Sequence, residues 1–203
     1  MSLADEKATL PVTDERVLHK GRVFDLVSET VDLGEGGTVT REFIRHPGAV
    51  AVVALDEQDR VLMIRQYRHP VRSYLWEIPA GLLDIAGEAL VDTARRELSE
   101  ETDLVAEEWH TLVDYYTTPG SSDEALRVFL ARGLSEVPEA DRHERHGEEL
   151  GMLVEYAPLA EAVALVQSGA VHNPSAVVGI LAAHAAHADG WAPLRPADAP
   201  WVR

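Results

Sequence analysis

Residues 81–104, GLLDIAGEALVDTARRELSEETDL, contain carboxylates where an ordinary amphipathic helix has apolar side chains. On a helical wheel at about 100° per residue, the apolar side chains share one sector of roughly a quarter turn. They are Leu90, Val91, Ala94 and Leu98. Glu101 falls inside this sector, and Glu97 falls on its edge one turn earlier. The pattern therefore predicts two carboxylates that point into the protein.

Two interpretations of these carboxylates are open. The first is a solvated surface helix with i,i+4 ion pairs, and Arg96 followed by Glu100 fits it. That interpretation does not account for Glu101, because a buried carboxylate must be neutralised by Arg or Lys, by protonation or by a metal ion. The second is a site for a hard divalent cation such as Mg²⁺, which prefers oxygen ligands. Spacing alone leaves both interpretations open.

The same run resembles the Nudix box, whose pattern is a Gly, five residues, a Glu, seven residues, and then Arg-Glu-apolar-any-Glu-Glu-any-Gly-apolar. The matching residues are Gly81, Glu88, Arg96, Glu97, Leu98, Glu100, Glu101 and Leu104. Six residues instead of five separate Gly81 from Glu88, which is a one-residue loop insertion before the helix. Asp103 replaces the last Gly, and Asp tolerates the left-handed conformation that is common at helix C-termini. Neither departure affects the inward carboxylates.

The composition is that of a globular protein with an excess of acid. The 203 residues are 46% hydrophobic and 26% charged, which suits one large domain or a domain with a subdomain. A formal charge of −17 argues against nucleic acids and anionic membranes as partners. There is no Cys, so disulfides and thiolate chemistry are excluded. Because we find no signal-peptide pattern and no bilayer-length apolar run, we expect a cytoplasmic protein.

The order of strand and helix patterns predicts a fold of the α/β (α+β) class. After a loose polar leader, segments 19–33 and 38–46 predict a small N-terminal antiparallel sheet. Further strands are predicted over 49–55, 60–67, 109–116, 126–134 and 153–156, and further helices over 159–168 and 175–188. The Nudix resemblance implies a mixed sheet sandwiched between helices. We assign residues 1–46 to an N-terminal sheet subdomain and residues 47–203 to the Nudix domain.

The box predicts the chemistry but not the substrate, because Nudix enzymes split diphosphates that join a nucleoside to various groups. Pro119 lies sixteen residues past Asp103, which resembles the marker of the ADP-ribose pyrophosphatase subfamily. The alternative interpretation of Pro119 is an ordinary Pro-Gly turn, which is common in loops. The resemblance implies hydrolysis of ADP-ribose to AMP and ribose 5-phosphate, with Arg68, Glu77 and Pro119 in the substrate site. The alternatives are another nucleotide-sugar or dinucleotide diphosphatase, or a catalytically silent binding module.

The resemblance also implies the roles of the box residues. Glu97, Glu101 and the Ala80 carbonyl would hold Mg²⁺, with Mn²⁺ as an alternative ion. Glu100 and Glu88 would assist. Arg96 would orient the carboxylates by ion pairing. A general base must take the proton of the attacking water, and in this subfamily it comes from a loop after the box. Glu148 and Glu149 are the candidates, with Glu144 in reserve.

We expect a homodimer, because the N-terminal sheet has few apolar residues and a two-stranded sheet is only marginally stable by itself. Packing on a second copy would complete it. Arg41 and Phe43, on this sheet, would then reach the substrate site of the partner.

Overall fold

The computed structural model describes residues 3–145 and 151–201, and the chain divides into two compact units. One unit comprises Met1–Pro47 and Thr118–Glu124, and the other comprises Gly48–Thr117 and Ala125–Arg203. The sequence did not indicate that the segment Thr118–Glu124 groups with the N-terminal unit. Backbone hydrogen bonds to Ile44 explain it, since the Ile44 amide donates to the Ser121 carbonyl at 2.9 Å and the Asp123 amide donates to the Ile44 carbonyl at 3.1 Å.

The described residues form eleven strands and three α-helices. The strands are β1 (Val12–Lys20), β2 (Asp25–Asp32), β3 (Thr38–Arg45), β4 (Ala49–Ala54), β5 (Arg60–Arg68), β6 (Ser73–Glu77), β7 (Ala80–Leu82), β8 (Leu104–Tyr116), β9 (Ala125–Glu136), β10 (Leu153–Pro158) and β11 (Arg195–Pro196). The helices are α1 (Leu90–Thr102), α2 (Leu159–Gln167) and α3 (Pro174–Ala188). In the part of the chain described, the helices are too short or too polar to span a membrane.

The N-terminal unit contains a three-stranded antiparallel sheet in the order β1-β2-β3. The predicted small antiparallel sheet is confirmed, but it has three strands instead of two, because residues 12–18 of the expected loose leader belong to β1. Every residue of β1 is exposed, so the strand has no buried face and none of the apolar alternation by which a strand is recognised in a sequence. Backbone pairing with β2 holds it, which the sequence pattern does not show.

The larger unit contains a mixed five-stranded sheet in the order β11-β8-β9-β4-β7. Strands β4 and β9 are parallel, and the other neighbours are antiparallel. A second sheet has the order β10-β5-β6. The predicted mixed sheet is confirmed, and strands β8 and β9 are longer than the sequence indicated.

Strand β4 lies between two helical layers and is buried along its whole length. Val50 and Val52 pack with Ala94 and Leu98 of α1 on one side. Ala49, Ala51 and Val53 pack with α3 on the other side, where Ala176, Ile180 and Ala183 are buried. Covering both faces explains why β4 is a continuous apolar run instead of an alternating one. The predicted sandwich of the sheet between helices is confirmed.

The C-terminal tail is held by a buried ion pair between β8 and β9. Arg127 is 1% exposed and binds Asp114 through two hydrogen bonds, at 2.7 Å and 3.0 Å. Two of its other N–H groups donate to the carbonyls of Ala199 and Pro200, each at 2.7 Å. Arg195 adds a second cation, 3.0 Å from the Asp114 carboxylate. One buried guanidinium therefore joins the sheet to the tail.

We expect Arg127→Met to lower the free energy of unfolding by about 3–5 kcal/mol, because Asp114 would keep a buried charge and lose its main partner. The matched control is Arg195→Met, which removes a half-exposed cation from the same carboxylate and should cost less than about 1 kcal/mol. Urea unfolding followed by circular dichroism measures both. Equal, small losses in the two variants would contradict a structural role for Arg127.

Candidate active site

Helix α1 presents its predicted inward face to the sheet. Ala94, Leu98 and Glu101 are all buried, so the predicted burial of a carboxylate at Glu101 is confirmed. The helix ends at Asp103, which has a left-handed backbone with φ of 58°, and the Asp103 amide donates to the Ser99 carbonyl at 2.9 Å. Asp therefore serves as the C-terminal cap here in place of the Gly of the box pattern.

The absence of a side chain at Gly81 leaves room for the Glu97 side chain. Gly81 lies on β7, and a Cβ atom built on it would be 2.0 Å from the Glu97 Cδ atom. A Cβ atom at position 81 and the Glu97 carboxylate cannot both occupy that space, so any larger residue at position 81 would displace the carboxylate. The first Gly of the box is thus required by close approach of the helix side chain to the strand.

Glu101 lies deeper than Glu97 and faces the start of β7. Its carboxylate accepts a hydrogen bond from the Ala80 amide at 3.0 Å and one from the Gln66 side chain at 3.4 Å. Burial raises the pKa of Glu101 to about 8, and the charge of Glu97 adds to the rise while the Ala80 hydrogen bond opposes it. Among the residues that the structure describes, no Arg or Lys forms an ion pair with Glu101.

Arg96 lies among carboxylates of α1 and of the loop before it. Its guanidinium is 2.7 Å from Glu97, 3.3 Å from Glu100 and 3.4 Å from Glu88. Its hydrogen bond to Glu88 lowers the pKa of that carboxyl, and Thr93 adds a second hydrogen bond at 2.8 Å. Burial raises the pKa of Glu97, and the Arg96 charge opposes this rise. With Asp84 at 3.9 Å as the most distant, Arg96 connects four carboxylates in one network.

A second ion pair lies beside Glu101. Glu77 is 1% exposed, and Arg68 binds both of its oxygens, at 2.8 Å and 2.6 Å. The Arg68 side chain is half-exposed, so this pair joins the buried end of β6 to the surface. The charges of both residues act on Glu101, which places the pair at the edge of the carboxylate cluster.

The predicted site residues fall into three groups. The larger unit contains Arg68, Glu77, Ala80, Arg96, Glu97, Glu100 and Glu101. Arg41, Phe43 and Pro119 belong to the N-terminal unit. Glu148 and Glu149 lie outside the described residues, and the reserve candidate Glu144 is exposed. The structure thus brings the box residues together with Ala80, and the base stays a prediction.

Sequence reasoning missed two residues at this site. Gln66 donates to Glu101, although the sequence showed it only as a polar residue between Arg65 and Arg68. Arg145 binds the end of α1, 42 positions from its partner Asp103. Such a long sequence separation leaves no local pattern by which the contact can be recognised.

The donor set of the cluster fits a hard divalent cation. Glu97 and Glu101 are two oxygen ligands one helical turn apart, and the position of Ala80 beside Glu101 adds a backbone carbonyl as a possible third. Within residues 3–145 and 151–201, no three acidic or His side chains are grouped around one point, so the carbonyl would have to complete the set. A cation would also neutralise Glu101, which has no basic partner among the described residues.

Comparison with known proteins agrees with this geometry. Residues 45–175 match the family model described as the NUDIX domain. The chain belongs to the Nudix family. Nudix hydrolases generally need divalent metal ions, and the carboxylate oxygens of α1 are of the kind such ions prefer.

Two relatives cover most of this Nudix chain. An ADP-ribose pyrophosphatase of Mycobacterium tuberculosis is 48% identical over 185 residues, which is 91% of this chain and 87% of the relative. An ADP-ribose pyrophosphatase of Bacillus subtilis is 38% identical over 163 residues, 80% of this chain and 86% of the relative. A crystal structure of an ADP compounds hydrolase superimposes with a TM-score of 0.71 at 22% identity, covering 92% of this chain and 99% of that one. This structural likeness supports the Nudix fold.

We expect the metal-free protein to lose stability as the pH rises from 5 to 8. The pKa of Glu101 is about 8 in the folded state and near 4.5 for an ordinary carboxyl, so the folded state holds the extra proton across this window. Stability is therefore greatest below the unfolded pKa and falls as the pH approaches the folded pKa, by an amount on the order of 3 kcal/mol. Urea unfolding in EDTA measures this loss.

The control is Glu101→Gln, which keeps the shape of the side chain without a titrating group. Its stability should change less between pH 5 and pH 8 than that of the natural protein. Parallel pH profiles for the two proteins would refute the raised pKa of Glu101.

Proposed function

We propose that this Nudix hydrolase splits the diphosphate of ADP-ribose into AMP and ribose 5-phosphate. The pair formed by the buried Glu101 and the partly buried Glu97, with Gly81 against Glu97, is the observation that carries the reaction class. The choice of ADP-ribose is supported by the 48% identity to an ADP-ribose pyrophosphatase across most of both chains. Pro119 at its characteristic distance from the box supports the same substrate.

We propose Mg²⁺ as the ion, with Mn²⁺ as a substitute. Glu97, Glu101 and the Ala80 carbonyl would hold it, and Glu100 would assist from the more exposed side of the helix, with Glu88 as a further aid. When bound, a divalent ion neutralises diphosphate oxygens and lowers the pKa of a bound water. Arg96 would keep Glu97 and Glu100 in place, since it already binds both.

The reaction breaks one bond of the diphosphate bridge. A water oxygen forms a new bond to one phosphorus, and the bridging oxygen leaves with the other phosphate. A carboxylate must take the proton that the water loses. Glu148 and Glu149 stay our candidates for this general base.

Arg68 is the proposed contact to the substrate in the larger unit, and Glu77, which is 1% exposed, would act through it. Arg68 is half-exposed and carries a planar group suited to phosphate or carboxylate oxygens. Glu77 holds that guanidinium through two hydrogen bonds, so Arg68 would meet the substrate in a fixed orientation. A local cation is needed because the protein as a whole, at −17, repels an anionic substrate.

The test is turnover of ADP-ribose, GDP-mannose and NADH side by side with Mg²⁺. We expect ADP-ribose to have the highest kcat/KM, and AMP and ribose 5-phosphate to form in equal amounts. Glu101→Gln should lower kcat by orders of magnitude, because it removes a charged ligand and keeps the shape of the side chain. Preference for another compound would favour the wider diphosphatase function. Tight binding of ADP-ribose without turnover of any compound would favour a silent binding module.

We also propose that the protein is a homodimer formed through its N-terminal unit. Val27 is the only apolar side chain that is fully buried in residues 3–47 and 118–124. Val17, Leu18 and Phe24 of the same unit are each about half exposed, at 52%, 45% and 45%. A second copy would cover this surface, and Arg41 and Phe43 would reach the partner's substrate site. The cytoplasmic location and the absence of nucleic-acid partners stay predictions from the sequence.

Light scattering at micromolar concentration should give twice the mass of one chain. Because the dimer would complete the substrate site, Phe43→Ala should raise KM for ADP-ribose without changing the mass. A monomer with full activity would contradict the shared site.

A further inference from the structure

The end of α1 is held by an arginine from a distant part of the chain. Arg145 donates from Nη2 to the Asp103 carboxylate at 2.6 Å and from Nε to the Glu100 carbonyl at 3.2 Å. Both side chains of the ion pair are largely buried, with 26% exposure for Arg145 and 21% for Asp103. Burial strengthens such a pair relative to an ion pair in open water.

Asp103 is also the position at which this chain departs from the box pattern, which has Gly there. A left-handed backbone is less favourable for Asp than for Gly, so the replacement has a cost that Gly would avoid. In return, Asp103 supplies the carboxylate that Arg145 binds. The two residues thus form a matched pair that a Gly at this position would not allow.

The two contacts of Arg145 lie on either side of Glu101 in the sequence. One reaches the backbone of Glu100, and the other reaches the residue that ends the helix. A helix C-terminus has unpaired carbonyls and partial negative charge, which a guanidinium satisfies. The Val137 amide adds a third tie, to the Asp103 carbonyl at 2.8 Å. The last turn of α1 is therefore fixed from outside the helix.

We propose that Arg145 is a positioning residue, which holds the last turn of α1 so that the Glu101 carboxylate stays aligned with β7 for a divalent ion. This inference rests on the proposed metal-dependent function. Residues that orient metal ligands typically change metal affinity about 10- to 100-fold when they are replaced. Arg145 acts through Glu100 and Asp103 and not on the substrate.

Arg142 provides a matched control three residues earlier. Its guanidinium binds the Glu136 carboxylate at 3.0 Å and the Val137 carbonyl at 3.1 Å. Among the described residues, it makes no hydrogen bond or ion pair to α1. Replacing either arginine removes one positive charge from the same segment. Only replacement of Arg145 removes the ties to Glu100 and Asp103.

The experiment measures Mn²⁺ affinity by electron paramagnetic resonance, and kcat and KM for ADP-ribose, in full-length variants. We expect Arg145→Ala to bind Mn²⁺ about tenfold more weakly and to lose kcat at subsaturating metal, with KM for ADP-ribose little changed. Arg142→Ala should keep the natural Mn²⁺ affinity. Arg145→Lys should recover part of the loss, since Lys keeps the charge but not the two-donor geometry.

A double-mutant cycle with Asp103→Gly tests the pair itself. Combining Asp103→Gly with Arg145→Ala should weaken Mn²⁺ binding by less than the product of the two single effects. Natural Mn²⁺ affinity in Arg145→Ala, or an equal loss in Arg142→Ala, would overturn the proposal. Absence of ADP-ribose turnover in the natural protein would contradict the proposed function alone, because the Mn²⁺ measurements test Arg145 without turnover.

Discussion

The structure depends on two carboxylates held in the poorly hydrated space between α1 and β7. Glu97 and Glu101 lose hydration there, and their pKa values rise as a result. Gly81 is needed because any Cβ would meet Glu97, and the Ala80 amide is needed because it donates to Glu101. An arrangement that raises the free energy of two charged groups is costly for folding, and binding a cation would offset that cost.

The layers around β4 make this arrangement rigid. Apolar packing on one face of β4 fixes α1 by Ala94 and Leu98, while packing on the other face fixes α3. Because β7 pairs directly with β4, the strand that faces Glu97 belongs to the same sheet that supports its helix. The packing of the core thus sets the distance between α1 and β7, and it thereby fixes the positions of the carboxylates between them.

Basic residues are few in this acidic protein, and several of them form ion pairs with carboxylates near the candidate site. Arg96 connects Glu88, Glu97 and Glu100, and Arg68 binds Glu77. Both arginines are partly buried, so the ion pairs act in a medium that screens them less than water does. Glu101 has no such ion pair among the described residues, in contrast to Glu97 and Glu100 on the same helix.

Periodicity and spacing in the sequence were enough to predict α1, its inward carboxylates and the buried strand β4, and the order of the elements together with the Nudix resemblance predicted the mixed sheet between helices. These features depend on residues that are close in the chain, so each leaves a local pattern. Strand β1, the grouping of Thr118–Glu124 with the N-terminal unit and the contacts of Gln66 and Arg145 depend on backbone pairing or on residues far apart in sequence. Only the tertiary structure decided them, because no local pattern records which distant partner a polar group will find.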